Sequence, residues 1–192
     1  QNNLGVFYDE GCGCEQSCER AAEWWDKAAR QGHPGAMASL GLLYHDGRGV
    51  PQSFTRAFQL YQQSRDMGST HPVLHYNLGV CYECGHGVAK DYLEARRLYK
   101  LASAQGQAQA TNDLNLLNEK IRTECPLLGK RVVITGTSRE DLNGRAGIAT
   151  SFDHDRDRYV VELDDDTDAT QGKGKLRLKP GNLVVLVERK GK

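Results

Sequence analysis

No stretch of this chain is apolar for anything near the roughly 18 residues that a membrane-crossing helix requires, so the sequence predicts no transmembrane segment. Neither sign of charge is in excess: Lys and Arg total 25, Asp and Glu total 25, and the formal net charge is zero. That balance argues against a chain whose main work is to coat nucleic acid or to dock on acidic membranes. The first residue is Gln1, not Met, and no charged-then-apolar leader follows it. The expectation is a processed or truncated form whose targeting signal lies outside these residues. A chain of 192 residues, 39% of them hydrophobic, has room and material for one large or two small cored domains. What the sequence has in excess is glycine. Its 21 glycines are about half as many again as an average usage of roughly 7% supplies.

A repeat explains them. Leu-Gly-x-x-Tyr occurs as Leu4–Tyr8, Leu40–Tyr44 and Leu78–Tyr82, at offsets of 36 and 38 residues. Counted from each Leu, Gly recurs at +7 (Gly11, Gly47, Gly85), at +9 (Gly13, Gly49, Gly87) and at +28 (Gly32, Gly68, Gly106). An apolar residue stands at +10 (Cys14, Val50, Val88), Ala at +17 (Ala21, Ala57, Ala95) and an aromatic at +21 (Trp25, Tyr61, Tyr99). With the +1 glycines, twelve of the 21 are repeat positions. A fourth start, Ala110 and Leu114, carries Asn115 in place of the +1 Gly, which suits a terminal unit with no further neighbour to pack.

Within one unit, Ala36, Leu40 and Tyr44 form one stripe of a helix, and Ala57, Tyr61 and Ser64 form the inward stripe of a second. A helix-internal Gly costs about 1 kcal/mol against Ala. Its recurrence at Gly41 and the equivalent positions therefore predicts a second helix in close approach. The Gly-x-Gly loop between the helices supplies a tight reversal, and units of this kind stack into a solenoid.

The ordered motifs A-x-x-x-L-G-x-x-Y, G-x-G-V and A-x-x-x-Y/W-x-x-A resemble the Sel1-like repeat, a tetratricopeptide relative with a longer Gly-rich loop. The resemblance covers about residues 1–122, as three repeats and a partial fourth, the first with a shortened helix and with Cys12 and Cys14 in its loop. It implies a scaffold or adaptor for protein assembly, not a catalyst. If the first helices line one binding face, the +2 residues Val6, Leu42, Val80 and Leu116 give it an apolar row. The +5 residues Asp9, His45, Glu83 and Glu119 then give it a polar edge. Tyr76 is placed with them in the expected partner-binding groove, which would suit an amphipathic helix or an extended peptide. The competing reading is that the +2 residues only pack between neighbouring helices.

After Pro126 the helical period disappears. Short β-type runs follow at 131–135, 147–152, 158–163, 175–179 and 183–187, separated by Asn143-Gly144, by Asp153–Asp157 and by a polar loop at Asp164–Gly174. Five short strands in about 60 residues predict a small closed barrel without exposed edges. The run resembles SH3-like and KOW-type barrels over about residues 127–188. A methyl-lysine cage would need aromatics, and only Phe152 and Tyr159 offer themselves, both in strand patterns that favour core packing. A nucleic-acid face would need a basic surface. The C-terminal part, from Pro126 on, has a net charge of only +2 and contains the acidic run Asp164–Asp166. Gln171–Lys175 lacks the signature of microtubule-binding Gly-rich barrels. Protein contact, or capping of the solenoid through Leu127 and Leu128, is the leading reading of this part.

Candidate chemistry is sparse. Cys12, Cys14 and Cys18 cluster in repeat one, while Cys81 and Cys84 form a C-x-x-C in repeat three, a whole unit away. That separation argues against a shared zinc site. A Cys12–Cys18 disulfide is the one pairing the spacing suggests, though reduced thiols are favoured. Asp153–Asp157 opens like a calcium loop, but Arg158 stands where the sharp turn needs Gly, so a charged hairpin is expected. His33-Pro34 and His71-Pro72 recur where helices should start. No nucleophile–base pair or phosphate loop is discernible, so neither catalytic residues nor a cofactor or metal are expected.

The reading is a multidomain α + β chain: an all-α helix-hairpin solenoid over 1–122 followed by a small all-β SH3-like barrel over 127–188. Its expected work is non-catalytic protein–protein interaction, with a place in a large multi-subunit assembly as one form of it. A nucleic-acid-associated accessory factor using the barrel is the alternative. The compartment is open, with cytoplasm or an organelle favoured.

Overall fold

The structure is a computed structural model and describes residues 1–153, 156–164 and 175–186. The chain divides into two compact units, Gln1–Leu116 and Leu117–Lys192, so the division falls inside one helix.

The first unit is built from helix pairs: α1 (Asn2–Glu10) with α2 (Cys18–Arg30), α3 (Pro34–Asp46) with α4 (Phe54–Asp66), and α5 (Pro72–Cys84) with α6 (Tyr92–Ala104). The start of α7 (Ala108–Glu124) follows them. Each first helix ends where the repeat places its +7 glycine, and Gly47 shows why: at φ 70° it is left-handed, and its N–H bonds to the Leu43 carbonyl. Second helices begin at Ser17, Ser53 and Asp91, whose side chains accept from backbone N–H groups of the first turn.

The histidines before the prolines prove to be caps. Nδ1 of His33 accepts from Ala36 N at 3.1 Å, and Nδ1 of His71 accepts from Val73 N at 3.3 Å. Each is followed by Pro at the first helical position, where the missing N–H costs nothing.

The helix-internal glycines admit the aromatic of the partner helix. A Cβ on Gly41 would stand 2.7 Å from the Tyr61 ring, one on Gly79 2.6 Å from Tyr99, and one on Gly5 2.4 Å from Trp25. One core cluster joins Ala21, Trp25, Ala36, Leu40 and Leu43 across α2 and α3, with Leu60 from α4. A second joins Ala57 and Tyr61 of α4 with Leu74, Leu78 and Cys81 of α5 and Leu98 of α6. Neighbouring cores share elements, so burial is continuous along the stack.

The second unit contains the end of α7 and five antiparallel strands, β1 (Arg131–Ile134), β2 (Ala146–Asp153), β3 (Arg158–Leu163), β4 (Lys175–Leu178) and β5 (Leu183–Val185). Two short 3₁₀ turns, Glu140–Leu142 and Pro180–Asn182, complete it. The strands form one sheet in the order β4-β3-β2-β1-β5. The expected closed SH3-like barrel is corrected here: among the described residues β4 and β5 are edge strands and do not pair with each other.

The sheet is nonetheless curled. Leu178 and Leu183 end β4 and start β5, five residues apart at opposite edges. Five residues reach at most about 17 Å, whereas a flat five-stranded sheet would separate its edges by about 19 Å. Among the described residues the turn between β4 and β5 binds the end of β1. Asn182 accepts from Thr135 N at 2.8 Å, and its side-chain amide donates to the carbonyls of Thr135 and Gly136.

Buried residues of this unit include Leu117, Ile121, Leu128, Val132, Ile134, Ala149, Tyr159 and Val161. Tyr159 packs against Phe152 with ring centroids 4.6 Å apart, and its hydroxyl accepts from Leu127 N at 3.2 Å. Both aromatics thus serve packing, as the strand pattern predicts. Asp153 pairs with Arg158 across the hairpin, and Arg156–Asp157 form its turn. His154–Asp155, most of the 164–174 loop including Gln171–Gly174, and Val187 onward lie outside the described residues.

Candidate interaction face of the repeats

Two hollows open beside the first helices of the repeat unit. The smaller, about 190 Å³, is lined by Val6, Asp9 and Glu10 of α1, Trp25 of α2, Ser39 and Leu42 of α3, and Arg48 of the following loop. The larger, about 300 Å³, lies between α3 and α5. It is lined by Gly35, Ala38, Ser39 and Leu42 on one side and by His71, Val73, Leu74 and Asn77 on the other, with Ser69. Ser39 and Leu42 belong to both, so the two are adjoining parts of one surface.

The structure therefore brings Val6, Asp9 and Leu42 of the expected groove together. Val6 also packs against the first core cluster. Val80 is half-buried on α5, and Leu116, in the last helix of the unit, is 68% exposed.

The +5 side chains are engaged by the scaffold itself. The Asp9 carboxylate takes the Arg48 guanidinium at 3.4 Å and the Cys18 thiol at 3.8 Å. His45 turns to the next loop: its Nε2 lies 3.2 Å from Nδ1 of His86. Glu83 accepts the Tyr99 hydroxyl at 2.9 Å. Tyr76 donates to Asp113 at 2.8 Å, which holds α7 to α5. Burial and the Asp113 carboxylate push the Tyr76 phenol up to about 12. Glu119, in the second unit, pairs with Arg122 one turn along the same helix.

A recurring contact links successive repeats, which spacing alone did not announce. The middle residue of each later Gly-x-Gly loop meets the +5 residue of the preceding repeat: Arg48 meets Asp9, and His86 meets His45. The second glycine of that loop lies against the start of the preceding second helix. A Cβ on Gly49 would stand 2.3 Å from the Cys18 carbonyl carbon, and one on Gly87 2.5 Å from the Phe54 oxygen. For the first contact the sequence carried a signal, the opposite charges of Asp9 and Arg48, but the identical residues His45 and His86 carried none.

None of the six cysteines is disulfide-bonded, so the suggested Cys12–Cys18 disulfide is absent: the Cys12 thiol meets Glu10 and the Cys18 thiol meets Asp9. Cys14 is exposed, whereas Val50 and Val88 at the same repeat position are half-buried. In that loop its Sγ reaches only the Phe7 carbonyl, at 3.5 Å. Among the described residues no group of three or more His, Cys, Asp or Glu is disposed to hold a metal, and no helix is long and apolar enough to cross a membrane.

A shallow hollow of about 410 Å³ in the second unit is lined by Arg139, Arg158, Arg177 and Lys179 among others. Asp141 neutralises Arg139 at 2.6 Å, and Asp153 stands 3.6 Å from Arg177.

Comparison with known proteins agrees with this architecture. The Sel1 repeat model matches residues 1–33, 34–69 and 72–107, together more than half of the chain. A putative sel1-like repeat-containing protein of Acanthamoeba polyphaga mimivirus is 32% identical over 68 residues, which is 35% of this chain and 12% of that protein's length. Among solved structures, a Sel1 repeat protein from Oxalobacter formigenes superposes with a TM-score of 0.54 at 32% identity, over 62% of this chain and 48% of that one. A protective antigen with an SLR fold from uropathogenic Escherichia coli strains gives 0.56 at 31% identity, over 62% of this chain and 25% of that one. Three matched repeats, each with its glycine seated on the aromatic of its second helix, place the chain in a family: it belongs to the Sel1 repeat family.

Proposed function

We propose that this chain is a non-catalytic interaction scaffold that holds a segment of a protein partner on the first-helix face of its repeats. Sel1 repeats are protein-interaction modules, and the observation that carries the reading here is the pair of adjoining hollows sharing Ser39 and Leu42. Their walls are mainly apolar at Val6, Leu42, Val73 and Leu74, with Asp9, Glu10 and Arg48 at one end. An amphipathic helix or an extended peptide with apolar anchors and a charged end fits such a surface. Leu42 and Val80 are the apolar contacts and Leu116 extends the row, while Asp9, His45, Glu83, Glu119 and Tyr76 set its polar margin.

The repeat domain is read as residues 1–122. The strands are read as an incompletely closed SH3-like domain over 127–188, supported by the 3₁₀ turn that joins its two edge strands. The scaffold would act within a larger assembly.

The test is affinity purification with mass spectrometry, comparing the native chain with a Leu42→Asp/Val80→Asp variant shown by circular dichroism to be folded. Partners retained by the native chain and lost by the variant support the reading. A folded variant that keeps every partner overturns it. A steep fall of affinity with salt would instead mark phosphate contacts and a nucleic-acid ligand.

A further inference from the structure

The contact between repeats two and three differs in kind from the one before it. Between repeats one and two, Asp9 meets Arg48, a carboxylate and a guanidinium of opposite charge. Between repeats two and three, His45 of α3 meets His86 of the next loop through Nε2 and Nδ1 at 3.2 Å. The His86 ring is stacked 3.9 Å from Phe54 at the start of α4, tilted by only 6° from it, and His45 lies 5.3 Å from the same ring.

Protonation states follow from the partners. Nδ1 of His45 is 2.9 Å from an Asp46 carboxylate oxygen, which can only accept, so that nitrogen carries hydrogen. Nε2 of the neutral His45 is therefore the acceptor, and Nδ1–H of His86 is the donor. One added proton leaves a single hydrogen between the facing nitrogens, and the bond becomes charge-assisted. A second proton puts N–H groups on both facing atoms, removes the acceptor and sets two imidazolium rings against each other.

The charges around the pair come from each packed element: Asp46 at the end of α3, Arg48 3.7 Å from Asp46, and Lys90 in the loop that carries His86. Phe54 is the contact from α4 and brings no charge. Burial, then His45 and Lys90, hold the His86 imidazole below its ordinary value.

We propose that the His45–His86 contact is an acid-sensitive joint between the second and third repeats, closed while the pair carries at most one extra proton and opened by the second. The sign is fixed by linkage: a depressed imidazole takes up its proton more readily in the opened state, so acid favours opening. The contact is intact above about pH 6.5, the ordinary imidazole value, persists through uptake of the first proton, and is lost at the second, which is taken up below that value. The two protons belong to the pair, and the opening follows the lower of two coupled steps. Because α3 and α5 also wall the larger hollow, the joint would make that hollow's geometry pH-dependent. This consequence rests on the proposed docking face; the joint itself does not.

Hydrogen exchange on the intact chain tests the joint without any partner, so its failure is separable from failure of the docking reading. At pH 7.5 and 5.0, corrected for intrinsic rates, the 85–90 loop and the first turn of α4 should lose protection by about tenfold at the lower pH. A His45→Asp/His86→Arg variant reproduces the upstream Asp9–Arg48 pair and should keep its protection at both. The caps His33 and His71 and the buried His75 are unchanged in that variant, so their own acid response cancels. If the double variant is poorly folded, His86→Gln, which keeps a donor but cannot gain a proton, replaces it and should also show no acid-specific loss. Imidazole nitrogen NMR should show two separated steps for the pair. Equal protection of the native chain at both pH values, or equal loss in the variants, overturns the proposal.

Discussion

Tyr99 donates its hydroxyl hydrogen to Glu83 at 2.9 Å, while the hydroxyl of Tyr61, at the same place in the preceding repeat, is buried without a partner among the described residues. The difference lies at +5. Repeat three has a carboxylate there, whereas repeat two has His45, whose nitrogens are turned to Asp46 and His86. Burial raises both phenols far above their ordinary range.

The two tyrosines should therefore answer differently to loss of one oxygen. Tyr99→Phe removes a hydrogen bond to a charged group, an interaction worth about 1.5–3 kcal/mol, and should lower stability by roughly that amount. Tyr61→Phe removes only an unpaired buried hydroxyl and should be neutral or stabilising. Urea unfolding of both variants at pH 7.5 measures the contrast.

Gly79 sits where an alanine would improve helix propensity by about 1 kcal/mol. Its Cβ, however, would lie 2.6 Å from the Tyr99 ring, itself fully buried. Overpacking of this kind costs about 1–3 kcal/mol, so Gly79→Ala should be net destabilising. In a double-mutant cycle, Gly79→Ala should cost less in a Tyr99→Leu background, because the clashing ring is gone.

His75 is buried, with Nδ1 unpartnered among the described residues, and burial, aided by Arg97 and Arg65, holds its imidazole below the ordinary value. The unfolded chain therefore gains its proton first as pH falls. Stability attributable to His75 is present above about pH 6.5 and is lost below it. Replacing His75 by Leu should flatten the acid limb of a stability–pH curve. A curve unchanged between pH 7.5 and 5.0 would contradict this assignment.

The thiols divide by burial. Cys81 is fully buried and pushed up to about 12, and Cys125 is fully buried and pushed up to about 11, both chiefly by desolvation. Cys12, Cys14 and Cys84 are exposed. Alkylation of the native chain at pH 8 should modify the exposed thiols and spare Cys81 and Cys125, which should react only in denaturant. Peptide mapping after a timed pulse gives the answer.

The repeat was legible because its chemistry is local and recurs. A helix-internal Gly opposite an aromatic at +21, and glycines at +7 and +28, each answer a need met within one helix pair. The strand positions were legible through alternation and turn residues. Closure of the sheet was not: in the Pro180–Asn182 turn between the two edge strands, Asn182 is anchored to Thr135 and Gly136 far away in sequence. Spacing alone placed the expected groove residues on one face of the first helices. Val6, Asp9 and Leu42 meet at one hollow, but the roles of His45, Glu83 and Tyr76 depend on which neighbour each side chain reaches.

The sequence by itself determined the helix-hairpin repeat, its glycine-lined reversals and the switch to strands after Pro126, because backbone conformation and burial periodicity are set by nearby residues. Only the tertiary structure decided that Arg48 answers Asp9, that His86 answers His45 and that Tyr99 has an acceptor where Tyr61 has none. Those pairings join residues brought together by stacking one helix pair on another. Their energies depend on distances of about 3 Å that no linear spacing encodes.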